Sequence, residues 1–258
     1  MGFEKKEKRV VDLDFSGVYR RRERLSEITV PLSGIPGTNA YCSEEAREAI
    51  RRELAGFSPE GIHFLDSGNY HYATLFWLEK IREPYRLVVF DHHTDLQPPA
   101  WGEDLLSCGS WIRTALLEDP DLREVWLAGP SWEAFEESFH ASSESRGERR
   151  KPSEKEIRLI SSDTPAHFRE AVCDLADDLP VYLSVDKDIL SKEELDTNWD
   201  QGEWKTEDLL ACLRTVRSGW RVIGLDICGE PAPDAPDREL ERSERIDRRL
   251  LQMFDQSG

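Results

Sequence analysis

The chain is short of positive charge. It carries 34 Lys and Arg against 52 Asp and Glu, a formal net charge of −18 over 258 residues. A surface of that sign repels nucleic-acid phosphates and anionic lipid headgroups, which excludes nucleic-acid binding and polybasic membrane anchoring. Paired cysteines are also missing. The five cysteines at 42, 108, 173, 212 and 228 are an odd number and have no CxxC spacing. Reduced thiols in a cytoplasmic setting are therefore expected, not a disulfide framework. The N-terminal stretch has no apolar run of signal-peptide length, and no run of 18 apolar residues occurs anywhere. Neither a secretory leader nor a spanning helix is expected. There is no internal repeat and no long linker, so residues 1–258 read as a single domain.

What is present is an alternation of strands and helices. Eight Trp and 10 Phe supply core. Short apolar, β-branched runs at 61–65, 86–90, 124–128, 157–160, 180–185 and 221–225 predict six strands. Helical patterns lie at 43–55, 71–82, 104–118, 131–139, 164–178, 206–218 and 237–254, with Ser43 and Thr206 as N-cap signals. Near-continuous apolar strands separated by helices predict an α/β fold whose parallel sheet is covered on both faces. The charged, Ser-rich stretch 141–155 reads as a surface loop.

In such sheets ligands bind beyond the carboxyl ends of the strands, and three polar clusters stand there. Asp91-His-His-Thr-Asp95 follows Leu-Val-Val-Phe, Asp186-Lys-Asp188 follows Tyr-Leu-Ser-Val, and Asp66-Ser-Gly-Asn-Tyr-His71 follows His-Phe-Leu. Extended backbone would put Asp91, His93 and Asp95 on one face, and Asp186 with Asp188. With His71 reaching in from its helix, four carboxylates and two imidazoles converge. Four clustered anions repel unless cations sit among them. Two divalent ions carry the compensating charge, and carboxylates with some imidazole suit Mn²⁺. Two such ions can share a bridging water and lower its pKa toward neutrality, giving a hydroxide nucleophile. A DxHxD triplet alone arises by composition in about 4% of such chains. The second Asp-x-Asp at another strand end makes the combination far more specific.

The set resembles the arginase/agmatinase (ureohydrolase) family, with its Asp-x-His-x-Asp, Ser-x-Asp-x-Asp and earlier Gly-Gly-Asp-His motifs. Asp91 to Asp95 and Ser184 to Asp188 match the first two, and Gly68-Asn-Tyr-His71 keeps the first Gly and the His of the third. The resemblance spans residues 60–232. It implies a three-layer α/β/α, arginase-like fold with a mostly parallel sheet, and members that are often trimers or hexamers. It also implies two Mn²⁺ ions, one held by His71, Asp91, Asp95 and Asp186. The other would be held by Asp91, His93, Asp186 and Asp188. The implied activity is hydrolysis of a C–N bond in a guanidino or amidino small molecule, with Asp95 steering the hydroxide.

The departures lie in the substrate shell. Cys108 stands where agmatinases carry a proton-transferring His, and reads either as a proton carrier or as a packed helix residue. The segment Asp226-Ile-Cys-Gly-Glu230 displaces by one place the Glu that contacts guanidinium in the family. Cys108, a water or Glu230 would protonate the leaving amine. Two alternatives follow, a deacetylase-like amide hydrolase on the same scaffold and a non-catalytic metal- or ligand-binding protein. Elsewhere His63 reads as a packing residue, His92 as a core or outer-layer hydrogen-bonding group, and His140 and His167 as solvated. Tyr70 either orients His71 or packs. Trp101, Trp111, Trp199 and Trp204 flank the site segments, and Asp226 is either an outer-layer partner or a cap.

Overall fold

The structure, a computed structural model, describes residues 9–98, 105–144, 156–160, 165–173, 175 and 177–255. The strands are β1 (Arg9–Asp14), β2 (Ile28–Pro31), β3 (Tyr41–Cys42), β4 (Gly61–Phe64), β5 (Tyr85–Phe90), β6 (Leu106–Ser107), β7 (Leu122–Ala128), β8 (Glu156–Ile160), β9 (Val181–Asp186) and β10 (Val222–Cys228). The helices are α1 (Glu44–Leu54), α2 (Thr74–Leu78), α3 (Trp111–Glu118), α4 (Trp132–Glu144), α5 (Pro165–Cys173), α6 (Thr206–Gly219) and α7 (Asp237–Asp255). Eight strands form one sheet in the order β2-β1-β4-β10-β9-β5-β7-β8. Every pairing in it is parallel. The short β3 and β6 pair antiparallel beside it.

The central strands are buried on both faces, and their alternation assigns each residue to a layer. Tyr85, Leu87 and Val89 of β5 join the core beneath α1, α2 and α3. Val88 and Phe90 join the core beneath α5, α6 and α7, with Leu183 of β9 and Leu225 of β10. This is the three-layer α/β/α arrangement. Among the described residues no helix is long and apolar enough to cross a membrane.

All six expected strands form, and two more extend the sheet past β4. Their signal was masked by polarity. β1 reads Arg-Val-Val-Asp-Leu-Asp, and its two acids are buried. Asp12 accepts from the Ser26 hydroxyl at 2.6 Å, and Asp14 pairs with Arg20 at 3.0 Å. β2 is a four-residue edge strand ending in Pro, which edges tolerate.

Four expectations are corrected. The helix expected over 104–118 is α-helical only from Trp111 to Glu118; before it Leu106–Ser107 forms β6 and Cys108–Ser110 a 3-10 turn. The stretch 71–82 opens as a 3-10 turn over Gly68–Ala73 and becomes α-helical only over Thr74–Leu78. Thr206 is the first residue of α6, not its cap, and its hydroxyl donates to Glu194 at 2.6 Å. The expected loop 141–155 begins inside α4, and its remainder lies outside the described residues. Ser43 does cap α1, accepting from Ala46 N at 3.2 Å.

Candidate metal centre

The polar clusters gather at the carboxyl ends of β4, β9, β5 and β10, which stand together in the middle of the sheet. Turns, not pleating, make them converge. β5 ends at Phe90, and His93 N then donates to Asp91 Oδ1 at 2.6 Å. Asp95 sits at φ 49°, in the left-handed region, which short polar side chains tolerate. β9 likewise ends at Asp186, and Lys187–Ile189 forms a 3-10 turn in which Asp188 N donates to Asp186 Oδ1 at 2.9 Å. Asp66 serves the frame: its carboxylate accepts from Phe15 N and Ser16 N at 3.1 and 2.8 Å, tying β4 to the end of β1.

All six expected ligand residues meet. His71 Nδ1 lies 3.1 Å from Asp91 Oδ2, 3.1 Å from Asp95 Oδ2 and 3.6 Å from Asp186 Oδ2. His93 Nδ1 lies 2.9 Å from Asp188 Oδ2 and 3.5 Å from Asp91 Oδ1. One donor cluster therefore holds His71, Asp91 and Asp95, and another holds Asp91, His93 and Asp188, each within 4.8 Å across. Asp91 belongs to both, with one oxygen turned to each.

The outer layer decides which histidine nitrogen is free. His71 Nε2 is 2.8 Å from Ser184 Oγ, and that hydroxyl donates to Asp226 Oδ1 at 2.5 Å. With its own proton given to Asp226, Ser184 accepts from Nε2–H. Nδ1 faces three carboxylate oxygens. Against the cost of burial, Cys228 and then hydrogen bonds to Asp91 and Asp95 raise His71 well above its ordinary value, so without a metal Nδ1 carries a proton as well. That proton points at one oxygen, whereas a divalent ion in its place would sit among all three, so the donor set fits a metal.

Electrostatics agrees. Burial, then the negative neighbours, raises the Asp186 and Asp188 carboxyls above their usual range. Burial and then Asp91 push Asp95 up to about 6. Burial opposes ionisation of Asp91 too, but hydrogen bonds from His71 and His93 hold it far below the ordinary value. Against the cost of burial, hydrogen bonds to Asp188 and Asp91 raise His93 to about 12. Four carboxyls are thus crowded together with no Lys or Arg among the pocket-lining residues, and protons and the two imidazoles stand where metal ions would.

A pocket of about 410 Å³ opens over the cluster. Cys108 lines it, half-buried, its thiol pushed up to about 12 by burial and then by Asp95. Glu230 does not reach it. That carboxylate is wholly buried, 2.8 Å from Lys187 Nζ, 2.9 Å from Arg22 Nη1 and 2.7 Å from Ser243 Oγ.

Trp111 donates from its indole nitrogen to Asp95 and packs on His71, ring centres 4.8 Å apart. Trp199 meets His93 edge-on at 5.7 Å and lines the pocket. Gly68 faces it, because a Cβ there would come within 2.8 Å of the indole and 3.0 Å of Asp186 Oδ2. Trp204 instead packs on Phe90 in the core, and Trp101 lies outside the described residues. His63 stacks on Trp77 at 3.7 Å, and burial lowers it to about 3. Tyr70 stacks on Phe15 at 4.3 Å. His167 is exposed, and the side chain of His140 lies outside the described residues.

Sequence reasoning missed two groups, His92 and Cys228. His92 lines the pocket and does not sit as a core or outer-layer group. The bend at 92–93 supplies no strand period to read. Asp226, read as an outer-layer partner or a cap, is the former: it accepts from Ser184 across neighbouring strands. Cys228, buried at the end of β10, brings its Sγ to 2.9 Å from Asp186 Oδ2. Only the register of β10 on β9, which pairs Cys228 with Asp186, reveals it.

The profile of the Arginase family matches residues 68–246. An uncharacterized protein of Thermotoga maritima is 30% identical over 241 residues, covering 93% of this chain and 86% of its own. Among solved structures, the proclavaminate amidino hydrolase of Streptomyces clavuligerus superposes with a TM-score of 0.66 at 15% identity, covering 97% of this chain and 93% of that one. The formimidoylglutamase of Bacillus subtilis superposes with a TM-score of 0.67 at 12% identity, covering 100% and 91%. These low identities speak for the fold, and the profile match, which spans the carboxyl-end clusters from Gly68 onward, speaks for descent: the chain belongs to the arginase family.

Proposed function

We propose that the chain is a two-metal hydrolase that cleaves a C–N bond in a guanidino or amidino compound. The observation that carries the proposal is His71, whose Nε2 meets Ser184 while its Nδ1 stands 3.1–3.6 Å from oxygens of three carboxylates. His71, Asp91, Asp95 and Asp186 would hold one ion, and Asp91, His93, Asp186 and Asp188 the other. Mn²⁺ suits the carboxylate and imidazole donors. When bound, such a pair activates a water near neutral pH and offsets the charge that develops at the attacked carbon.

The chain's own groups do the rest. Ser184 and Asp226 hold the His71 tautomer, and the Trp111 indole fixes Asp95. Asp95 steers the attacking water by a hydrogen bond. The leaving amine takes its proton in the pocket, where Cys108 and His92 are the thiol and the imidazole within reach outside the six. Burial, then His93, lowers the pKa of His92, so its ring is placed to accept a proton from the attacking water and hand that proton on to the leaving amine. Glu137 and Asp200 line the same pocket, and no Lys or Arg does among its lining residues. That polarity favours a cationic small molecule. Two structural neighbours are, by name, an amidino hydrolase and a formimidoylglutamase, which points to the amidine-type carbon. The described thiols Cys42, Cys108, Cys212 and Cys228 are free, in keeping with a reducing, cytoplasmic setting.

The test is metal content together with turnover on a panel of guanidino, amidino and amide compounds. About two bound ions, with release of urea or ammonia, is the expected result. Release of acetate would transfer the site to amide hydrolysis. Two bound ions with no turnover of any compound would defeat the enzymatic reading.

A further inference from the structure

We propose that Cys228 is a sulfur ligand of the ion at His71, so that the two metal positions of this chain differ in kind. The proposal rests on the two-ion reading above. β10 ends at Cys228, and its register on β9 sets that residue beside Asp186. Gly229 follows at φ 86°, where a Cβ would collide with Asp186 Oδ1, so the chain turns away directly after placing the thiol. Cys228 is fully buried. Its Sγ, one carboxylate oxygen of Asp186 and one ring nitrogen of His71 all lie within 4.8 Å of one another.

Without metal the Cys228 thiol donates to Asp186 Oδ2, and the spacing matches that of two neighbours on one ion. A sulfur about 2.3 Å and an oxygen about 2.1 Å from the same metal, at right angles, are about 3.1 Å apart. Cys228 Sγ and Asp186 Oδ2 are 2.9 Å apart. The same Oδ2 is the atom 3.6 Å from His71 Nδ1. Sulfur is confined to this side: the cluster of Asp91, His93 and Asp188 has nitrogen and oxygen only. Cys108 lines the pocket and belongs to no donor cluster among the described residues. The His71 position therefore suits a more thiophilic ion such as Zn²⁺ or Co²⁺. The His93 position keeps the hard donor set of Mn²⁺.

Cobalt reads this directly. The full chain, stripped of metal by chelation, is titrated with Co²⁺ while bound metal and the absorption spectrum are recorded. Two ions should bind, with a sulfur-to-cobalt charge-transfer band in the near ultraviolet. Cys228→Ser should lose that band and keep the weaker d–d bands, and Cys108→Ser should keep both. Two bound cobalt ions without the charge-transfer band would overturn the sulfur ligand and leave the two-ion reading standing. A band lost in Cys108→Ser but kept in Cys228→Ser would overturn it too. A single cobalt with the band would keep the sulfur ligand and defeat the two-ion reading, and no bound cobalt would defeat both. Should Cys228→Ser fail to fold, the wild-type and Cys108→Ser spectra still decide.

Discussion

Asp186 and Asp188 face one cluster of buried charge, and Lys187 between them faces another. On the first side stand four carboxylates and two imidazoles, with no Lys or Arg among the pocket-lining residues. On the second stand Glu230 and Asp247 against Lys187 and Arg22, all buried, with the Ser243 hydroxyl bonded to both Lys187 and Glu230. The second cluster carries its own countercharge and nearly closes its hydrogen bonds. There, against the cost of burial, Arg22 and Lys187 hold Glu230 well below the usual carboxyl range. Burial and then Glu230 raise its partner Asp247 to about 6. In the first, three of the four acids are pushed upward and Asp91 alone is lowered. A buried acid cluster whose cations are built in serves as a structural joint, and one that lacks Lys and Arg is a candidate site for cations from outside. One 3-10 turn serves both, so the joint between α7, Arg22 and Lys187 also steadies the ligands on either side.

The comparison can be broken at the metal side first. Asp186→Ala removes the carboxylate that meets both His71 and Cys228. We expect loss of metal binding and of all detectable turnover, read by metal analysis and assay. Full activity would void the ligand assignment. On the joint side, Lys187→Met leaves Glu230 and Asp247 with only Arg22, a change expected to cost about 3–5 kcal/mol of folding stability. Urea unfolding measures it, and a loss below about 1 kcal/mol would mean the joint is not balanced as described.

A subtler cut is Ser184→Ala, which removes the hydroxyl between His71 and Asp226. Metal affinity should fall about 10–100-fold with the fold intact, as for other outer-layer partners of a ligating histidine. Isothermal titration would show it, and unchanged affinity would dissociate Ser184 from the site.

The smallest effect is one of pH on chelated protein. Asp95 (about 6 when folded), Asp186 and Asp188 hold protons more readily folded than unfolded. Their stabilisation is full below 3.8 and is lost as pH rises through the folded values. His93, raised to about 12, acts with the same sign above 6.5. Asp91, lowered, matters only below 3.8 and leaves this window untouched. Metal-free protein should therefore melt at lower temperature near pH 7.5 than near pH 5. A divalent ion should cancel or reverse the difference, and melting curves with and without chelator decide it.

Much of this site is legible in the chain, for a local reason. The ligands come in tight groups after apolar runs, so Asp91, His93 and Asp95, and then Asp186 and Asp188, announce themselves by spacing alone. The route to convergence was less legible. Left-handed Asp95 and the turn at Lys187 replace the strand alternation that the spacing suggests. Glu230 shows the limit. It stands one place from the position where the family keeps a substrate-reading Glu, and that single step takes its carboxylate away from the pocket to Lys187 and Arg22.

By itself the sequence determined the α/β class, the central strands and the six candidate ligand residues, because apolar period and clustered acids are properties of neighbouring residues. Tertiary structure alone decided which groups answer them across the sheet. Strand register set Cys228 on Asp186 and Asp226 behind Ser184, and packing against α7 closed Glu230 into a joint. Those pairings join residues more than 40 positions apart where they cross strands. Nothing local encodes such distances; they follow from burying two faces of one parallel sheet.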